Sequence, residues 1–377
     1  MAQNIARGER PHVVLYGAVN SGKSTLFNSL LGESHSVVSE LPGTTTDAVY
    51  KAVELPNIGP IILVDTPGIA DESPLGHQRM EMARKALRMA DIILYLAPID
   101  EAELKALKKD YPLATTVPIF SKNSDEVIQK LAEVLGNKAV PERTLTGSLV
   151  KEDDLVLLVM PQDEAAPKGR IIAPQVQLIR ELLDKKCRVM CVQPTQLQSA
   201  FASLRELPSL VVTDSQVFRE VEQDCPSAVP LTSFSILMSA YKGSLLELLE
   251  GAKALSTLRP NAHILIAEAC SHVPTNEDIG RVKLPRLLRQ KLGEELKIDI
   301  ANGKDFPTDL SSYDLVIHCG ACMFGPTYLR HRQLQALLQQ VPMTNYGIAI
   351  AELLGILPRV ALPEYPDVSA DSGTTSL

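Results

Sequence analysis

Tryptophan is absent from the 377 residues, and aromatic residues of all kinds make up only 4%. Proteins that hold single-stranded nucleic acid by stacking bases on rings need more of them. Basic excess is missing too: 37 Lys and Arg stand against 45 Asp and Glu, a formal net charge of −8. Bulk nucleic-acid binders carry a basic footprint, so no nucleic-acid partner is expected. Long apolar runs are also lacking. The longest, Asp154–Met160 and Gly347–Leu357, fall well short of the roughly 20 residues that a membrane helix needs. Met1–Arg10 is polar and has no apolar signal stretch. These absences predict a cytoplasmic chain that works away from the membrane. Six cysteines are present, Cys187, Cys191, Cys225, Cys270, Cys319 and Cys322. Without an export signal they suit metal or redox chemistry better than a disulfide framework.

Short apolar runs alternate with helical spacing along the whole length. His12–Tyr16, Ile61–Val64, Ile92–Leu96, Leu155–Met160, Arg188–Val192, Leu210–Thr213, His263–Ala267 and Leu315–His318 read as strands. That alternation predicts an α/β fold of three domains with mostly parallel sheets. The stretches Asn137–Thr146 and Gly251–Pro260 are the expected linkers. The domains are then 10–140, 150–256 and 257–365, followed by a polar tail, 366–377, that lacks the apolar content to fold. Cys187, Cys191 and Cys225 fall in the middle domain, where buried structural roles are expected.

Gly17-Ala18-Val19-Asn20-Ser21-Gly22-Lys23-Ser24 fits G-x-x-x-x-G-K-S between an apolar strand and a helix, the context a phosphate-binding P-loop requires. Backbone N–H groups and the helix N-terminus would face the phosphates. Asn20, Ser21, Gly22, Lys23, Ser24 and Thr25 are the expected contacts. Lys23 would reach the terminal phosphates and Ser24 would ligate Mg2+. Asp65-Thr66-Pro67-Gly68 closes a strand about 40 residues on. Asp65 would hold Mg2+ through water, and Gly68 would offer an N–H to the last phosphate. Between them, Pro42-Gly43-Thr44-Thr45-Thr46-Asp47 supplies hydroxyls that can cap the metal, with Thr45 the expected ligand. The loops Thr44–Thr46 and Gly68–Leu75 are the candidate movers of a switch.

Cys270-Ser271-His272 and His318-Cys319-Gly320-Ala321-Cys322 form C-x-H–x45–H-C-x-x-C, each half after an apolar strand. Strand ends in parallel sheets converge at one edge. Three chemistries fit these residues: a closed structural zinc site, a redox C-x-x-C pair, or an iron–sulfur cluster on three thiolates with an exchangeable fourth position. His272 or His318 could be the fourth ligand.

The P-loop, P-G-T-T-T-D and D-T-P-G-I-A-D resemble GTPases related to TrmE and Era, in which an Asn at the position of Asn20 accompanies bound K+. The base-reading N-K-x-D of that group is not intact. Ser121-Lys122-Asn123-Ser124 keeps the Lys, Ala97-Pro98-Ile99-Asp100 keeps the Asp, and Val150-Lys151-Glu152-Asp153 stands just before the second domain's first strand. Lys122–Val127 is read as the later loop of the fold, leaving a shortened GTPase-like domain without its base-reading strand and helix. Taken with the cysteine–histidine pattern, the whole chain resembles the HydF family of FeFe-hydrogenase maturases. The likeness extends through Leu155–Gln175, Val211–Gly243 and Ile266–Pro285. It implies a dimerisation domain in the middle and an iron–sulfur domain at the end. It also implies a 4Fe-4S cluster on Cys270, Cys319 and Cys322, GTP with Mg2+, and slow hydrolysis secondary to a scaffold role. A di-iron precursor built by radical-SAM maturases would be carried to apo FeFe-hydrogenase by a homodimer. The competing reading is a TrmE/Era-like GTPase of ribosome assembly or tRNA modification with a structural zinc. A third is an iron–sulfur regulator whose nucleotide site has decayed, against which the intact Lys23, Ser24 and Asp65 argue. The eroded base motif predicts weak discrimination between GTP and ATP in a competition assay; strong preference for GTP would put the guanine contacts elsewhere in the chain.

Overall fold

Six apolar runs set the architecture. His12–Tyr16, Ile92–Leu96, Leu155–Val159, Leu210–Thr213, His263–Glu268 and Leu315–His318 are rich in Val, Ile and Leu and almost wholly buried. Continuous burial, rather than alternation, marks parallel strands covered on both faces. In the computed structural model each is an inner strand of one of three sheets. The structure describes residues 10–32, 37–40, 48–68, 74–98, 100–136, 143–162, 171–269, 278–322 and 324–365. They fall in two compact units, residues 1–139 with 324–331 and residues 140–323 with 332–377.

The first unit holds β1 (His12–Tyr16), β2 (Val37–Glu40), β3 (Val49–Leu55), β4 (Gly59–Asp65), β5 (Ile92–Leu96) and β6 (Thr115–Ile119) in the order β2-β3-β4-β1-β5-β6. The β2–β3 and β3–β4 pairings are antiparallel and the rest are parallel. Helices α1 (Lys23–Gly32) and α4 (Ser124–Gly136) bury Leu26, Phe27, Leu30, Val127, Ile128 and Leu131 on one face of the sheet. On the other face, α2 (Pro74–Leu87) and α3 (Glu101–Asp110) contribute Ala86, Leu87 and Leu107. Asp100 caps α3 by accepting from the N–H groups of Ala102 and Glu103. Strand β6 pairs directly with β5, and α4 follows it after four residues.

The second unit carries two four-stranded parallel sheets. In one, β7 (Leu155–Val159), β8 (Arg188–Val192), β9 (Leu210–Thr213) and β10 (Leu231–Ser233) lie in the order β10-β9-β7-β8. In the other, β11 (His263–Glu268), β12 (Lys297–Asn302), β13 (Leu315–His318) and β14 (Met343–Asn345) lie in the order β12-β11-β13-β14. The helices between them are α5 (Ala173–Asp184), α6 (Leu197–Ser203), α7 (Phe218–Asp224), α8 (Phe234–Lys242), α9 (Leu245–Lys253), α10 (Leu284–Leu292), the second half of α11 (Pro326–Leu338), whose residues up to 331 fall in the first unit, and α12 (Tyr346–Leu353). Cys187 and Cys225 are buried, but Cys191 is exposed because β8 is an open edge of its sheet. No described helix is long and apolar enough to cross a membrane.

Helix α9 lies so close to β14 that a side chain on Gly251 would run into the Met343 carbonyl. Backbone cannot yield there without breaking the strand. Gly251→Ala should therefore destabilise the second unit by roughly 1–3 kcal/mol, the usual range for overpacking. A lower urea midpoint with unchanged slope checks this; an unchanged midpoint would show that α9 can shift.

Candidate nucleotide site and candidate metal centre

The P-loop leaves the C-terminal end of β1, an inner strand of the first sheet, and opens directly into α1. Asn20 sits in the left-handed region at φ 62°, a conformation Asn tolerates better than most residues. Lys23 is buried, and its ammonium donates to the carbonyls of Gly17 at 2.9 Å and Ala18 at 2.7 Å. Burial pulls its pKa down, and the Asp65 carboxylate works in the opposite direction. Ser24 Oγ donates to Asp65 Oδ2 at 2.8 Å, joining the two residues expected at Mg2+. Burial raises the Asp65 pKa against the pull of Ser24 and Lys23. Thr25 follows on the exposed side of α1.

Two buried polar atoms at this site have no hydrogen-bond partner, Asp65 Oδ1 and Ser21 Oγ. Such atoms are uncommon in folded proteins and call for a ligand, ion or water. A phosphate chain with its metal is the group this donor set fits. Gly68 is forced by contact: a Cβ there would stand 2.7 Å from Val19 Cα and 2.9 Å from its N. The D-T-P-G turn thus lies against the P-loop backbone, held also by Thr66 Oγ1 donating to the Leu15 carbonyl at 2.6 Å. Thr45 and most of the two candidate switch loops lie outside the described residues.

Lys122 keeps the Lys of the base motif and opens the stretch Lys122–Val127 read as the later loop of the fold, and it stands at the P-loop. A Cβ on Gly22, whose φ is 94°, would meet Lys122 Nζ at 2.5 Å and Cε at 2.6 Å. Only glycine admits both that backbone angle and that close approach. The two residues are far apart along the chain, so nothing in local spacing signals the contact.

In the second unit, β11 and β13 are neighbours, with Ala267 opposite His318. Cys319 follows β13. Its N–H donates to the Ala267 carbonyl at 2.9 Å, and its Sγ accepts the N–H of Ala269 at 3.1 Å. The ends of β11 and β13 thus meet at one sheet edge, where Ala269 bonds Cys319. Cys270 and His272 themselves lie outside the described residues. Cys322 is half-buried and packs on the core beside β7 and α8.

His318 is fully buried with both ring nitrogens engaged. Arg332 Nη1 lies 2.7 Å from Nε2, and the Cys319 carbonyl lies 2.6 Å from Nδ1. Arginine can only donate, so Nε2 accepts and Nδ1 carries the proton. A metal bond to His318 would have to displace Arg332. Burial, then the guanidinium charge, holds the ring neutral with its pKa down to about 3. At the end of β11, the buried Glu268 pairs with Arg281 at 3.1 Å, and Arg281 also donates to Asn302 at 2.8 Å. Both residues fall in Ile266–Pro285, a stretch of the family likeness that gives neither a role.

Residues 145–243 match the family model described as the hydrogen maturase F dimerization domain, and residues 246–363 match that of the hydrogen maturase F tetramerization domain. Together these span more than half of the chain. The chain belongs to the hydrogen maturase F family. Residues 12–122 match the 50S ribosome-binding GTPase model, which makes the first domain a GTP-binding, TrmE/Era-like GTPase domain. Era of Aquifex aeolicus is 27% identical over 225 residues, 53% of this chain and 70% of its own length. The tRNA modification GTPase MnmE of a Methylobacterium is 42% identical over 98 residues, 24% of this chain and 22% of its own. MnmE of a Thermus thermophilus strain is 37% identical over 112 residues, 29% and 25% respectively. The chain thus spans about a quarter of these two MnmE relatives. The dimerization and tetramerization segments mark a homo-oligomer.

Lys23 can exchange its two carbonyl partners for phosphate oxygens. Hydrogen bonds to charged groups contribute about 1.5–3 kcal/mol, so Lys23→Ala should weaken GTP binding by roughly 10–100-fold. Fluorescent-analogue titration checks it, and retained affinity would discredit this phosphate site.

Proposed function

We propose that the chain is a scaffold for maturation of FeFe-hydrogenase. In this reading a 4Fe-4S cluster sits on Cys270, Cys319 and Cys322, and a di-iron precursor made by radical-SAM maturases is carried beside it and passed to apo-hydrogenase. The observation that carries the cluster reading is the hydrogen bond from Ala269 N–H to Cys319 Sγ. It supports convergence of Cys270 and Cys319 at one sheet edge, with Cys322 three residues on. Backbone N–H groups aimed at sulfur are how proteins stabilise cluster thiolates and tune their potential. The maturase segments at residues 145–243 and 246–363 support the same conclusion.

GTP acts here as a switch and not as the main chemistry. A nucleotide shifts a conformational equilibrium only by binding two states with different affinity. The D-T-P-G turn lies against Val19 of the P-loop, so a group bound to that loop can push on the chain that continues into 69–75. Hydrolysis is slow and resets the state. Mg2+ sits with Ser24, Thr45 and Asp65, and K+ at Asn20.

Metal and acid-labile sulfide analysis of protein purified without oxygen tests the reading, with electron paramagnetic resonance on the reduced sample. About four irons and four sulfides per chain are expected, with the signal lost in Cys319→Ser. One zinc per chain, no sulfide and no iron uptake on reconstitution would overturn it in favour of a GTPase with a structural metal site.

A further inference from the structure

Lys242 is the last residue of α8 and is completely buried. Lysine is almost never fully buried unless its charge is met by partners. Its ammonium donates to the carbonyl of Ala321 at 2.9 Å and to that of Cys322 at 3.2 Å. Both carbonyls belong to the short loop that carries Cys319 and Cys322. Within that loop Ala321 is buried and held at φ 47°. A non-glycine residue stays in this sparsely populated region only where its surroundings impose it. Two carbonyls drawn onto one cation are such an imposition.

We propose that Lys242 is a positioning residue for the cysteine loop, fixing its backbone and setting a positive charge beside the thiolates that hold the cluster. The proposal rests on the cluster reading above. The Ala321–Cys322 peptide is planar and trans, so a carbonyl turned toward α8 turns the Cys322 N–H away from it. The ammonium therefore orients donors as well as acceptors in the loop. A cation bonded to this loop would also favour the reduced, more negative cluster over the oxidised one, since net charge and local polarity set cluster potentials. Lys242 lies in the dimerization segment and the loop lies in the tetramerization segment. The contact thus lets the first segment govern the chemistry of the second.

The test compares wild type with Lys242→Met, which removes the charge and the donors, and Lys242→Gln, which keeps a donor without charge. All are reconstituted with iron and sulfide without oxygen. Iron and sulfide content, the rate of cluster loss to a chelator and the midpoint potential are measured. Circular dichroism and GTP-analogue affinity serve as controls for folding. Both variants are expected to fold and to bind nucleotide as wild type does. Both should lose the cluster several-fold faster. The potential should fall by about 59 mV or more, a tenfold change for a one-electron couple. Wild-type potential and loss rate in Lys242→Met would overturn the proposal. So would failure of both variants to fold, because the ammonium would then serve the fold and not the loop. A wild-type chain that takes up no iron or sulfide would be a different result, sinking the cluster reading itself.

Discussion

A parallel strand hydrogen-bonded on both sides has no backbone to spare and no solvent-facing side chain. Its chemistry is confined to the loop at its C-terminal end, where several strands stop at the same edge. Strands β1, β11 and β13 obey this constraint, β4 ends at the same edge as β1 although its other neighbour β3 is antiparallel, and the sites follow from it. The P-loop leaves β1 while Asp65 ends β4, and these strands pair from His12–Ile62 to Leu15–Asp65. That register brings Ser24 and Asp65 to 2.8 Å although 41 residues separate them. The same logic sets Cys319 beside Ala269 across β11 and β13. Buried strands supply a rigid frame, and the loops inherit its register.

Two lysines show how such loops are tensioned. Lys23 and Lys242 are both buried, and both direct their ammonium groups at carbonyls of a loop that carries candidate site residues. Desolvating a cation is costly, and carbonyl dipoles offset only part of that cost. At Lys23 the burial already pulls the pKa down, so an incoming phosphate finds a cation whose desolvation is largely complete. A pre-formed site of this kind loses less on binding than one assembled around the ligand. Arg332 does a related job in the third sheet. It donates to His318 and to the Gly303 carbonyl and lies over the Phe306 ring at 4.4 Å, locking the imidazole in one tautomer.

Much of this is legible in the sequence wherever a signal is local. Continuous Val/Ile/Leu runs mark six of the eight inner strands, and the P-loop announces its own strand-to-helix context. The edges are harder. β12, Lys-Ile-Asp-Ile-Ala-Asn, mixes polar and apolar residues with half of them exposed, and β14 is only three residues long. Neither carries an apolar run. Cys191 is expected to be buried with Cys187 and Cys225, yet it faces out, because sequence cannot tell an edge strand from an inner one. The contacts of Lys122 and Lys242 are invisible for a different reason. Lys242 meets Ala321 across 79 positions, and Lys122 meets Gly22 across a still longer span. Nothing in the spacing of residues reports a contact made by the fold as a whole.

Several polar bonds among the described residues of the second unit involve the end of β9 or the helices around β10 and β14. Asn345 at the end of β14 donates to Ser239 Oγ at 2.6 Å and to the Ser235 carbonyl at 3.0 Å, both on α8. Lys283 donates to the Gln216 carbonyl at 2.6 Å, and Gln333 exchanges bonds with Ser244 at both its amide atoms. A Cβ on Gly347, in the first turn of α12, would stand 3.0 Å from Ile236 Cγ1 and Ser235 Cβ and 3.1 Å from Ser233 Oγ, so these side chains would have to give way. These contacts are buried and directional, so α8 cannot slide without disturbing β14, α12 and the loop after β13. Buried polar networks of this kind resist partial rearrangement, because each broken bond leaves a desolvated group without its partner. A segment that mediates self-association is thereby fastened to the loop that carries Cys319 and Cys322. A shift of α8 would disturb that loop at the Ala321 and Cys322 carbonyls that Lys242 bonds and at the packing of Cys322 beside α8.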